Sequence, residues 1–191
     1  MKPNLKLFQK LTAFPFALIF VAFLFPLVNV SCSGTEIPVA EPNAYSLLVQ
    51  QTPESFLSND YAAKIEEMKS NAPEMRTFLE QPLGQIKAVV LPIFLSVALA
   101  AVFAFFSPLA SLAMGLAAFV SLWVFVYRLS VTVHMEHYDF LTVEPGVGTY
   151  CATFLLAIGI AMNLTILIKT WLAKRRQQKK ELTPSHLQNS K

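Results

Sequence analysis

Residues Ala88–Tyr127 read AVVLPIFLSVALAAVFAFFSPLASLAMGLAAFVSLWVFVY and contain no Asp, Glu, Lys, Arg or His. One membrane-spanning helix needs about 20 apolar residues, and this stretch is about twice that long. Ser107-Pro108 divides it, because proline lacks a backbone N–H and disfavours helix in the residue before it. The sequence therefore predicts two spanning helices, residues 86–106 and 109–128, joined by a tight turn.

Two further apolar segments lie on either side of this pair. The first covers residues 11–30 and follows Lys10, and the second covers residues 149–170. The second segment ends at Lys169 and Trp171, two residue types that suit the membrane–water interface. We therefore expect an all-α integral membrane protein built as a four-transmembrane-helix bundle.

The first apolar segment has a rival interpretation as a secretory signal. A basic start and an apolar stretch fit a signal peptide, and Val30-Ser31-Cys32 resembles a lipoprotein cleavage site. The stretch is too long for a typical signal core, however, and Asn29 stands where such sites usually carry an apolar residue. We expect Met1–Val30 to be retained as a span, and the cleaved lipoprotein is the alternative.

Charged residues predict the orientation. Residues 1–10 and the tail 171–191 are basic, and an even number of spans puts them on the same side of the membrane. The loop 31–85 carries eight acidic and three basic residues. Because basic loops stay in the cytoplasm, we expect both termini to be cytoplasmic and the loops 31–85 and 129–148 to be extracytoplasmic.

The first outer loop carries helix-start signals. Thr52-Pro53-Glu54 offers a capping hydroxyl, a proline at the first helical position and an acid in the first turn, and Asn71, Pro73 and Glu74 repeat that pattern. The loop is therefore predicted to form a small helical extracytoplasmic cap. Two roles are open for it: shielding the ends of the spans, or binding a partner.

The two cysteines fall at the same predicted membrane face. Cys32 follows the first span and Cys151 begins the fourth, so a Cys32–Cys151 disulfide is a candidate in an oxidising compartment. Two unrelated buried thiols are the alternative. Four-span quinone-linked redox enzymes use a Cys-x-x-Cys pair, which this chain lacks.

Metal binding has one weak candidate set. His134, Glu136 and His137 lie close together in the second outer loop, and two histidines three residues apart share one face of a helix. Their spacing differs from the His-Glu-x-x-His of zinc peptidases, and a solvated strand or turn explains the segment equally well. We therefore expect no metal, no cofactor and no catalytic residues.

Small residues recur at four-residue spacing in the last three spans, and no span interior carries an ionisable group. Such stripes let helix backbones approach closely, whereas ion and proton pathways generally need charged groups. Helix packing is therefore the predicted role of three stripes: Ser96, Ala100 and Ala104; Ala113, Ala117 and Ser121; and Ala157, Ala161 and Thr165.

Two short segments carry a resemblance. Pro26-Leu27-Val28-Asn29-Val30-Ser31-Cys32 and Glu144-Pro145-Gly146-Val147-Gly148 resemble pieces of uncharacterised bacterial four-span membrane proteins. In those proteins a Ser-Cys follows the first span and a Pro-Gly-x-Gly precedes the last. The resemblance covers about a dozen residues. It implies a bacterial inner (cytoplasmic) membrane and no particular activity.

These patterns favour a non-enzymatic accessory or scaffold protein that sits in the lipid bilayer and binds a membrane-protein partner or further copies of itself. A subunit of an oligomeric transporter or channel is the second interpretation, and a membrane enzyme using outer-loop His and acidic residues is the third. Nucleic-acid binding is not expected, because the basic residues flank a span and form no folded basic surface.

Overall fold

The computed structural model describes residues 9–32, 38–49, 84–135 and 141–182, and these are mostly helical. Three helical stretches are long and apolar enough to cross a membrane: Val89–Phe106, Pro108–Val131 and Val147–Lys179. A shorter apolar helical stretch, Gln9–Ala22, precedes them. The predicted cap helices at Thr52 and Asn71 lie outside the described residues.

The helices and strands follow one another as α1, β1, β2, α2, α3, α4, β3 and α5. Their bounds are α1 Ala13–Ala22, β1 Val28–Cys32, β2 Pro38–Ala40, α2 Ala44–Leu48, α3 Gly84–Phe106, α4 Pro108–Met135, β3 Leu141–Pro145 and α5 Val147–Leu182.

Ser107 separates α3 from α4, as the sequence predicts. Its N–H donates to the Phe103 carbonyl at 2.7 Å, its carbonyl accepts from the Ser111 N–H at 3.0 Å, and Pro108 takes the first position of α4. The Ser107 hydroxyl also accepts from the Ala110 N–H at 3.4 Å, which is the N-cap arrangement. One residue therefore ends one helix and caps the next, so the two pack as an antiparallel hairpin.

The prediction of a helix over residues 11–30 is wrong for its last eight residues. The helical part ends at Ala22, so Gln9–Ala22 is about 21 Å long against a hydrocarbon core of about 30 Å. Beyond it the chain turns and then enters β1. Pro26 accounts for this ending, because it cannot supply the N–H that a continuing helix needs.

The described residues are mostly helical, as expected, but the protein is not entirely α-helical, because three strands form an antiparallel sheet in the order β2-β1-β3. β1 pairs with β3 from Val28 opposite Pro145 to Cys32 opposite Leu141, and it pairs with β2 at Val30 opposite Ala40. The Ser31 and Thr142 hydroxyls lie 2.8 Å apart across the central pair. The sheet joins the segment after α1 to the segment before α5.

α2 is a single short helix whose start is fixed by a capping box. Asn43 Oδ1 accepts from the Ser46 N–H at 2.8 Å, and Ser46 Oγ accepts from the Asn43 N–H at 3.1 Å. Tyr45 then donates its hydroxyl to the Phe20 carbonyl at 3.0 Å and packs edge-on against Phe94, with ring centroids 5.3 Å apart. α2 therefore connects the C-terminal end of α1 to α3.

The first turn of α5 packs directly on the turn Phe25–Leu27 that follows α1. The Gly146 N–H donates to the Leu27 carbonyl and the Gly148 N–H to the Pro26 carbonyl, both at 2.7 Å. A Cβ at Gly146 would lie 2.4 Å from the Pro26 oxygen, and one at Gly148 would lie 2.6 Å from the Phe25 oxygen. Only glycine permits this backbone-to-backbone contact at both positions.

The helices pack in a cycle. α1 contacts α3 and α5, and α4 also contacts α3 and α5. Most buried positions of the three long helices recur at alternating three- and four-residue spacing, the period of left-handed helix packing. They are Val90, Ile93, Val97, Ala100 and Ala104 on α3; Ser111, Gly115, Ala118, Leu122 and Phe125 on α4; and Ala152, Leu156, Gly159, Asn163 and Ile166 on α5.

Candidate functional site

The Phe16 ring occupies a narrow space between three helices. Phe16 of α1 is fully buried, and its ring lies between Gly115 of α4 and Gly159 of α5. A Cβ at Gly159 would lie 2.7 Å from the ring, and one at Gly115 would lie 3.2 Å from it. We call these two residues the glycine notch. α1 can approach α4 and α5 this closely because neither glycine carries a side chain.

A chain of polar groups lies deeper in the interior and links three helices. Asn163 of α5 donates from Nδ2 to the Ser111 hydroxyl at 3.1 Å and to its own helix's Gly159 carbonyl at 3.0 Å. Ser111 of α4 in turn donates to the Ala100 carbonyl of α3 at 2.8 Å. Both side chains are fully buried, and Asn163 Oδ1 has no partner among the described residues.

This arrangement has the chemistry of a packing element. An amide and a hydroxyl carry no charge at neutral pH, and neither is activated by a base in the described interior. Interhelical hydrogen bonds of this kind hold helices together in an apolar medium, where a polar group without a partner is costly. The Asn163–Ser111 pair therefore fixes how α5 meets the α3–α4 hairpin.

A second set of polar contacts lies at the N-terminal end of α5, and all of them are centred on the Phe25–Leu27 turn. The Leu27 carbonyl accepts from the Gly146 N–H and also from the buried Thr149 hydroxyl at 2.6 Å, and the Leu27 N–H donates to the Pro42 carbonyl at 3.0 Å. The start of a helix leaves backbone N–H groups without partners. Here the carbonyls of the turn accept from them.

Of the three predicted packing stripes, only the α3 stripe packs inward. Ala100 and Ala104 are fully buried, and the Ala100 carbonyl accepts the hydrogen bond from Ser111. The other two stripes do not pack inward within the described chain, so a packing role for them stays a prediction. Ala113, Ala117, Ala157, Ala161 and Thr165 are exposed, and Ser96 and Ser121 are half-buried.

The candidate disulfide does not form in this structure. Cys151 is a free cysteine with an exposed side chain. Its helix begins next to Leu27, whereas the backbone of Cys32 pairs with Leu141, four residues along β1 from Val28. Four residues of strand cover about 13 Å, but a disulfide needs Cα atoms within about 7 Å. The sheet therefore carries Cys32 away from the start of α5.

The metal candidates are not placed by the structure. His134 falls within α4, in a part whose side chains lie outside the description, and Glu136 and His137 lie wholly outside the described residues. Among the described residues no group of three His, Cys, Asp or Glu side chains could hold a metal ion. This set remains a prediction.

Sequence reasoning missed Phe16, Gly115 and Gly159, although two signals for them were present. Ser111 and Gly115 are themselves four residues apart, as are Gly159 and Asn163. On α4 and on α5, this pair and the alanine stripe lie on different faces of the helix, and both have small or polar residues at four-residue spacing. Spacing alone could not decide between the two faces, because both satisfy the same rule.

Comparison with known proteins adds no assignment: no family model, no curated protein and no solved structure matches the chain.

The glycine notch predicts that one glycine-to-alanine substitution lowers the free energy of unfolding. Glycine to alanine in a helix interior normally stabilises by about 0.5–1 kcal/mol. Gly159→Ala should instead destabilise by about 1–3 kcal/mol, because its Cβ overlaps the Phe16 ring. Unfolding of the purified protein in mixed micelles, followed by circular dichroism, measures the change.

Phe16→Leu in the same chain provides the test of cause. The smaller side chain should remove most of the penalty, so the double variant should be more stable than the sum of the single effects by more than about 0.5 kcal/mol. Ala157→Val is the matched control, since it adds volume to an exposed position of the same helix. Additive effects of the two substitutions would show that the ring and the notch do not interact.

Proposed function

We propose that this chain is a four-span membrane protein with both termini in the cytoplasm, acting as a non-enzymatic accessory or scaffold protein for other membrane components. The observation that carries the proposal is the closed interior. Phe16 fills the glycine notch, and Asn163 Nδ2 and the Ser111 hydroxyl make hydrogen bonds between helices. This leaves the outward surfaces for binding.

The fourth span in this proposal is α1 together with its turn. Gln9 donates to the Phe105 carbonyl at the C-terminal end of α3, at 3.4 Å, and the Leu27 carbonyl accepts from Thr149 in the first turn of α5. The segment from Gln9 to Leu27 therefore reaches from one end of the long helices to the other. α1 alone is short, and the apolar turn residues Leu24 and Phe25 extend it.

The charges of the described residues support the orientation. Lys10 precedes α1, and the last turns of α5 carry Lys169, Lys174, Arg175, Arg176 and Lys179, so these bases collect at one end of the helices. Glu41 and Glu144 lie at the other end, beside the sheet, where Lys87 and Arg128 are the exceptions. The positive-inside rule assigns the basic end to the cytoplasm. A bacterial inner membrane is the compartment we propose.

A subunit of an oligomeric transporter or channel is the second candidate, and the outward alanine stripes favour it. Ala113 and Ala117 on α4, and Ala157 and Ala161 on α5, are exposed small residues at four-residue spacing. Such surfaces permit close approach of another helix. A pore would then lie between copies, because the interior of one copy is filled around Phe16.

The orientation predicts the side of three reporter fusions. Fusions after Asn71 and after His137 should report an extracytoplasmic location, and a fusion after Gln178 should report a cytoplasmic one. Paired alkaline phosphatase and green fluorescent protein reporters measure both sides at each position. A cytoplasmic signal at Asn71 would contradict the four-span proposal, because it would put the segment after α1 on the same side as Gln178.

A photo-crosslinking residue distinguishes the two functions. Placed at Ala117 or Ala161 in living cells, it should give an adduct with one other membrane protein, identified by mass spectrometry, if the chain is an accessory protein. Val102, an exposed residue of α3 outside any small-residue stripe, is the control position and should give none. An adduct of twice the 21.2 kDa chain mass would favour the oligomeric alternative instead. No adduct at either stripe would contradict both.

A further inference from the structure

α5 is longer than a membrane span requires. It runs for 36 residues, from Val147 to Leu182, whereas about 20 residues cross the hydrocarbon core. Counted from its outer start, the helix leaves the core near Ile168 and continues in the headgroup region and beyond. Residues 149–180 contain no acidic residue, and residues 171–179 are all exposed. The C-terminal part of α5 is therefore strongly basic, and the one acidic residue of the helix, Glu181, lies in its last turn.

The basic residues near the C-terminal end of α5 lie on two different faces of the helix. Ile168 and Leu172 are exposed and lie four residues apart, on the side of α5 that faces away from the other helices. Arg175 and Arg176 follow Leu172 by three and four residues and so continue that same outward face. Acyl chains lying against Ile168 and Leu172 would place their headgroups at these two arginines.

Lys174 lies on the opposite side. It follows Ile166, which is buried against the neighbouring helices, and the half-buried Thr170 by steps of four residues. Its charge therefore continues the packing face of α5 and points away from the lipid-facing side. This gives the chain a natural internal control with the same charge in the same turn.

Trp171 orders the arginine side of the site. The Arg175 guanidinium carbon lies 4.3 Å from the centroid of the Trp171 ring, which is 54% exposed. Tryptophan favours the membrane interface, and a stacked guanidinium keeps its planar N–H groups available to a phosphate. The contact therefore holds a cationic donor at headgroup depth.

We propose that Arg175 and Arg176, with Trp171, Leu172 and Ile168, form a binding surface for an anionic phospholipid of the leaflet at the C-terminal end of α5. Arginine donates paired N–H groups to phosphate, and the two apolar side chains contact the acyl chains. The proposal rests on the membrane placement of α5 argued above, and it adds a ligand of defined chemistry to that placement.

Fluorescence quenching of Trp171 tests the proposal at the site itself. The chain has two tryptophans, so Trp123→Phe leaves Trp171 as the reporter. The full chain is reconstituted in phosphatidylcholine nanodiscs containing either brominated phosphatidylglycerol or brominated phosphatidylcholine. We expect brominated phosphatidylglycerol to quench Trp171 with a relative affinity about five- to tenfold higher.

The variants then assign the preference to the arginines. Arg175→Gln with Arg176→Gln should remove it, whereas Lys174→Gln should leave most of it, with both proteins retaining the helical circular dichroism of the parent. Equal quenching by the two lipids in the parent would overturn the proposal. So would an equal loss on Lys174→Gln, since that would mean general attraction of anionic lipid to a basic helix. If the proposed four-span topology is wrong, the reporter fusions would show it by reporting the other side of the membrane. The quenching result would not change.

Discussion

The contact between the Phe25–Leu27 turn and the first turn of α5 is the constraint on which the rest of the structure depends. It joins two segments more than a hundred residues apart through main-chain hydrogen bonds, and it requires glycine at both Gly146 and Gly148. The hydrogen bond from the Gly146 N–H to the Leu27 carbonyl lies between the end of α1 and the start of β1 on one segment. On the other segment it lies between β3 and α5. In an apolar medium unpaired backbone groups are costly, so a break in a span needs such partners. The turn provides them.

The same contact also determines which residues of α1, α4 and α5 meet further along the helices. With the C-terminal end of α1 joined to the N-terminal end of α5 at Leu27 and Thr149, Phe16 comes to the level of Gly159, and Asn163 lies one turn further along α5. The Phe16 ring and the Asn163–Ser111 hydrogen bond then fix α5 against α1 and α4. Among the described residues the Phe16 ring occupies the space beside Gly115 and Gly159, and this is the observation on which the proposed binding by outward faces rests.

The apolar composition and the length of the uncharged stretches predict the long helices well. A membrane-spanning helix requires both properties, whatever it packs against. The break at Ser107 follows from proline chemistry alone. The strand Val28–Cys32 could not be predicted in this way, because its apolar residues fit a helix equally well and its pairing partner, Leu141–Pro145, is remote in sequence. For a related reason the sequence could not decide which face of α4 packs inward, the Ser111–Gly115 face or the Ala113–Ala117 face. Both have small residues at the same spacing, and only the position of Phe16 selects one.

Amide exchange at the glycines measures the turn contact most directly. The chain has six glycines, so ¹⁵N-glycine labelling in micelles gives six backbone signals, and Gly115 and Gly159 within the spans serve as protected references. The first N–H groups of a helix ordinarily exchange fast, because they lack acceptors. With the Pro26 and Leu27 carbonyls as acceptors, Gly146 and Gly148 should exchange within about tenfold of the references. Exchange of either at the rate of an unstructured residue would contradict the account.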